Sequence, residues 1–169
     1  MKNMESFSDV MNYFENLSSE HRDINYFVYG GSDRILTAER DNIIYPTLWV
    51  EPPEVIPMIS DQGNKMTWKM VFLVIAQCDP DEWKKEKYLM DWTFQIATSL
   101  MQRILSDSED QFEISPSSFS LYPVEGMNND HEIGWRVQFE FYHPISSCSD
   151  NKFKSVCPAG ALAKFKWSN

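Results

Sequence analysis

The sequence predicts an α+β fold: an antiparallel or mixed β-sheet with one long α-helix packed on a face, a short N-terminal helix and an extended C-terminal arm. Three observations predict it. Met70 to Ala76 is a continuous apolar run of strand length, suited to a central strand buried on both faces. Leu89, Trp92, Thr93, Ile96, Ala97, Leu100 and Ile104 recur at helical spacing over many turns, enough for one helix to cover a sheet. Ile133, Trp135, Val137, Phe139 and Phe141 alternate with Gly134, Arg136, Gln138 and Glu140, the pattern of a half-buried strand. Helices are too few for a doubly wound sheet.

Taken in order, Phe7, Val10, Met11, Phe14 and Leu17 form one apolar stripe on a short helix. Ser6 or Ser8 caps its start, and Asp9 suits the positive helix N-terminus. Ile24 to Gly31, INYFVYGG, is a strand stopped by two glycines, and SDRILTAERDN after it is a helical turn or a loop. Asp41 to Val55, DNIIYPTLWVEPPEV, carries apolar side chains on both faces. Pro46 lacks an N–H and is awkward in a central strand, so the stretch reads as an edge strand with a covered outer face, ended by Pro52 and Pro53. A loop with Asp61, Gly63 and Asn64 leads into the central strand. The long helix starts near Pro80, with Asp79 and Glu82 at capping-box spacing and a second apolar line of Phe94, Met101 and Leu105. SSFSLYPV and HEIGWRVQFEFYHP form a hairpin across EGMNND. Periodicity stops after Pro144, so residues 1–145 form a single α+β domain and 146–169 an arm.

The 169 residues suffice for one domain with a real core, and 43% hydrophobic content with 14% aromatic residues argues against a disordered chain. Nine Met and six Trp fill cores and also enrich subunit contacts. Net charge is −10, unevenly spread: residues 151–169 hold Lys152, Lys154, Lys164 and Lys166 and no acid, leaving 11 bases against 25 acids, or −14, in residues 1–150. So acidic a body repels free nucleic acid, which argues against sequence-specific DNA binding. Three cysteines without framework spacing fit a reducing compartment. The N-terminus has no continuous apolar region of signal-peptide type, and no run is long enough to span a bilayer.

Catalytic, cofactor-binding and metal-binding residues are not expected. His143, Cys148 and Cys157 lack the tight Cys pair of structural zinc sites, and Cys78 stands apart. His21 in SSEHRD and His131 in NNDHEI each have an acid nearby, which polar loops explain. YGGSD lacks the Lys of a phosphate loop, and no Gly-x-Ser-x-Gly elbow occurs. Helix capping accounts for the acids of DPDE. Trp135, Phe139 and Phe141 are core residues, because base stacking would need a basic surface.

The element order, carried by IIYPTLWVEPPEV, KMVFLVIAQCDP, the helix from Trp83 to Leu105 and the hairpin SFSLYPV…GWRVQFEFYHP, resembles the tail-terminator and tail-completion proteins of tailed bacteriophages, in the style of phages of Bacteroides-like hosts. The resemblance spans Tyr26 to Pro144 and excludes the tail after Ser149. It implies a virion structural role without catalysis or cofactor. The subunit would close into a ring of six or twelve copies at the neck or tail, joining portal and head to tail and lining the DNA conduit. Assembly would take place in the bacterial host cytoplasm, away from any membrane. Ring closure would cover the sticky edge strand, making Ile43, Tyr45, Leu48, Trp49, Pro52 and Pro53 candidate subunit-interface residues. The acidic lumen would let genomic DNA slide past without sequence-specific binding. Lys152, Lys154, Lys164 and Lys166 would dock the arm on an acidic neighbour among the portal, neck or tail proteins. The alternatives are a small-molecule-binding α+β domain, or an enzyme of unknown substrate, and an interaction adaptor outside the particle.

Overall fold

The structure is a computed structural model and describes residues 6–31, 43–60, 63–79, 81–126 and 131–144. The described residues form a mixed seven-stranded sheet with helices on one face, in the order α1 (Phe7–Glu20), β1 (Tyr26–Tyr29), β2 (Thr47–Val50), β3 (Glu54–Ser60), β4 (Gly63–Gln77), α2 (Trp83–Gln111), β5 (Glu113–Ile114), β6 (Ser120–Glu125) and β7 (Glu132–Pro144), with a short 3₁₀ turn at Pro116–Ser118. The α+β fold expected from the sequence is the one observed.

Two long strands make the spine. β4 and β7 pair antiparallel from Lys65↔Pro144 to Gln77↔Glu132. Two shorter strands then lie end to end along each outer side. β2 and β3 share one edge of β4, and β5 and β6 share the far edge of β7. β1 adds a parallel strand outside β2.

Alternation divides the sheet cleanly. Met70, Phe72 and Val74 of β4, Val137, Phe139 and Phe141 of β7, and Leu48 and Val50 of β2 are buried under Val10, Phe14 and Leu17 of α1 and Ile96, Ala97, Leu100 and Ile104 of α2. Each such side chain contributes about 1.5–3 kcal/mol by leaving water. Aromatic pairs give the layer its shape: Phe119 stacks on Phe139 at 4.8 Å, and Trp68 on Phe141 at 5.8 Å. A smaller cluster of Val28, Trp49, Leu73, Ile75 and Val124 occupies the other face.

Gly134 lets the two spine strands approach. Its φ is +156°, and a Cβ there would run into the carbonyl oxygen of Val74. The helices are locked to each other by polar side chains. Ser6 forms a full capping box with Asp9 at the start of α1. At the other end of the pair, Tyr13 Oη donates to Asp107 at 3.0 Å, and Arg103 holds both Asp107 at 2.9 Å and Glu20 at 3.1 Å.

Three expectations change. The stretch from Glu54, expected to be unpaired after Pro52 and Pro53, forms β3, because the chain steps past the two prolines and resumes pairing on the same β4 edge. Gly63 and Asn64, expected in a loop, begin β4. The capping box of Asp79 and Glu82 does not form. α2 starts at Trp83, Glu82 makes no side-chain cap, and Asp79 contributes its carbonyl to Glu82 N–H at 3.1 Å.

Candidate subunit interface

The reading of Thr47–Val50 as an edge strand is corrected by the sheet order, in which β2 lies between β1 and β4. Pro46 pointed to an edge, yet it sits just before the strand, so its missing N–H costs no ladder bond, and its carbonyl accepts from Asn25 N–H at 2.9 Å. Leu48 is 0% and Trp49 2% exposed, so neither is available to a second chain. Leu48 faces the helices, whereas Trp49 faces away and donates Nε1–H to Gly30 O at 2.7 Å. Their stickiness serves the two sides of their own sheet.

Tyr45 is half-buried on the side away from the helices, and its hydroxyl reaches Glu132 Oε1 at 2.5 Å, across the end of β4. Glu132 is itself buried. Ile43 packs with Tyr45 on the same cluster. Of the six candidate residues, Pro52 is exposed and Pro53 half-buried at the break between β2 and β3. Lys152, Lys154, Lys164 and Lys166 lie outside the described residues.

The exposed apolar side chains are elsewhere. On β3, Val55 and Met58 are exposed; Ile44 is exposed ahead of β2; on β6, at the opposite side of the sheet, Tyr122 is exposed. A third group lies on the first half of α2, where Trp83 is 69% and Tyr88 65% exposed. Val55 and Met58, three residues apart on one strand, project from its opposite faces. No hydrophobic periodicity could have found them, since each breaks the pattern of its own element. β3 and β6 each carry a proline, Pro57 and Pro123, and among the described residues neither strand pairs on its outer side. A proline withholds one N–H from any chain that would extend the sheet.

An open cleft of about 570 Å³ is lined by residues that include His21, Asp23, Trp92, Gln95 and Ser99. Ser, His and Asp meet here, but the wiring runs opposite to a nucleophilic triad. Asp23 N–H donates to His21 Nδ1 at 3.2 Å, which leaves the proton on Nε2. Nε2–H then donates to Ser99 Oγ at 2.7 Å, and the serine hydroxyl donates onward to Ile96 O at 2.8 Å. The imidazole thus holds the serine oxygen as an acceptor and takes no proton from it. Burial lowers the His21 pKa, Asp23 opposes that and Arg22 adds to it. The trio ties the end of α1 to the middle of α2.

The remaining titratable candidates are held structurally. Cys78 is buried, and burial pushes its thiol up. His131 O accepts from Cys78 N–H at 3.2 Å. His143 is half-buried, while Cys148 and Cys157 lie outside the described residues. In DPDE, Lys85 lies 2.8 Å from Glu82 and 4.0 Å from Asp79. Among the described residues no group of three or more His, Cys, Asp or Glu is placed to hold a metal ion, and no helix is long and apolar enough to cross a membrane. No protein-family model matches the chain, and a search of the curated proteins returns no match.

Proposed function

We propose that the chain is a ring-forming structural subunit of a tailed bacteriophage, of the tail-terminator or tail-completion kind, joining the head or portal to the tail around the DNA conduit. The observation that carries this reading is the placement of exposed apolar side chains on unlike strands at opposite sides of one sheet: Val55 and Met58 on β3, Tyr122 on β6. Unlike patches on opposite sides make head-to-tail contacts, and such contacts repeat until the rotation closes a ring. The long helix over a sheet that ends in a late hairpin supports the same reading, as does the −14 charge of residues 1–150, which suits a channel through which DNA slides without adhering. Prolines on both outer strands direct the contact to side chains instead of a continuous backbone ladder.

Electron microscopy of the purified full chain and of phage particles is the test. Rings of six or twelve copies, sited at the neck or tail end, are the expected result. A chain that stays monomeric at every concentration and is missing from purified particles by mass spectrometry overturns it.

The cleft beside His21 favours a second reading, a small-molecule-binding domain, because Trp92 and Gln95 there offer an aromatic wall and an amide to a ligand. Thermal-shift screening against metabolites separates the two: a large stabilisation by one compound class supports the binding domain.

A further inference from the structure

α2 has two unlike sides. Leu89, Thr93, Ile96, Ala97, Leu100 and Ile104 are buried toward the sheet. Lys84, Lys87, Tyr88, Asp91 and Gln95 are exposed and, by helical spacing, project the opposite way. Trp83 and Phe94, both exposed, lie eleven residues apart, about three turns, and so share one flank. Large aromatics of this kind carry most of the energy of protein contacts.

We infer that this part of α2 pairs with the same part of a second copy, antiparallel, about a two-fold axis level with the Tyr88–Leu89 peptide. With the axis there, Trp83 of one copy faces Phe94 of the other on the same flank. The two Tyr88 rings meet at the centre. Asp91 lies about 4 Å past the axis, and Lys87 and Lys84 about 2 and 7 Å before it, so each Asp91 falls between the two lysines of the opposite copy. Parallel pairing in register would set Lys against Lys and Asp against Asp, which costs affinity. The charge order of one helix therefore selects both the partner, a second copy, and its direction. A two-fold contact is made twice over and closes on two copies. It is separate from the β3–β6 contact proposed for the ring and does not depend on it.

Charge reversal in the full chain tests the pairing, read as the dimer dissociation constant from sedimentation over a concentration series. Lys84→Glu combined with Lys87→Glu weakens the dimer about tenfold or more, and Asp91→Lys does the same. All three substitutions together restore it to within about threefold of the parent, since the reversed charges again face opposites. Trp83→Ala weakens it about tenfold without changing the charge. These side chains are exposed, so circular dichroism stays unchanged. A parent chain that never dimerises, reversals that dimerise like the parent, or a combination no tighter than the separate reversals each overturn the pairing. Rings that persist in every reversed variant leave the ring reading in place while removing this one. Dimers that respond as expected in a chain that forms no ring do the reverse.

Discussion

His21 and Ser99, 78 residues apart in sequence, meet at 2.7 Å with the imidazole as donor, and this bond fixes where α1 ends against α2. The acceptor on the other ring nitrogen makes the pair sensitive to acid. Protonating Nδ1 turns it into a donor that faces the Asp23 N–H, and the bond between them is lost. Because burial lowers the folded-state pKa, the unfolded chain takes up the proton first, near its ordinary value of about 6.5. The stability is therefore present in full above that value and declines as pH falls through it toward the folded pKa. Urea denaturation midpoints at a series of pH values check this: the parent loses more below neutrality than His21→Gln. Equal pH profiles for the two would refute it. Ser99→Ala at neutral pH costs about 1 kcal/mol, the size of one net hydrogen bond.

Gly134→Ala tests the strand approach. A methyl group there meets the Val74 carbonyl oxygen, backbone against backbone, two pairs from one end of the β4–β7 ladder, where neither partner has a flexible end to move aside. The loss should exceed about 3 kcal/mol, and the thermal midpoint should fall accordingly. A shift of only a degree or two would mean that the ladder relaxes there.

Tyr45→Phe tests the bond to Glu132. The ring and its packing remain, but the buried Glu132 loses the phenolic donor that the half-buried Tyr45 supplies. A cost of about 1–3 kcal/mol is expected in chemical denaturation. No cost would show that the carboxylate is satisfied without Tyr45.

Phe139→Ala should cost about 3–5 kcal/mol, since Phe139 is 1% exposed and contacts Phe14, Phe72 and Phe119. Met58→Glu on exposed β3 should leave stability within about 0.5 kcal/mol and yet abolish ring formation, if the ring uses that edge. Light scattering and a thermal melt on the same sample read both.

Elements whose side chains obey one period were legible in the sequence. The alternation from Ile133 to Phe141 gave β7, and the helical stripe from Leu89 to Ile104 gave α2. Strand order was not legible, because it depends on which distant segment takes each edge. Tyr26–Tyr29 occupies the outside of β2, and nothing in Thr47–Val50 alone announces that neighbour. Pro46 misled because a proline one residue before a strand and one inside it look the same without the ladder. Pro52 and Pro53, conversely, hid β3, which resumes pairing beyond them and tolerates Pro57 as an outer strand. Leu48 and Trp49 misled for a related reason: a strand apolar on both faces is equally the mark of an exposed edge and of an interior position between two layers. Tyr45–Glu132 and His21–Ser99 each join residues some 80 apart, beyond any local pattern.

Pro57 and Pro123 carry a consequence for how copies of this chain choose company. With a gap in the donors on both outer strands, any passing β-rich protein finds an incomplete row to latch onto. If copies dock through Val55, Met58, Tyr122 and the α2 aromatics as proposed, recognition is written in a few surface side chains and kept apart from the machinery of folding. Lineages could exchange one docking partner for another by altering those few letters while the interior stays untouched.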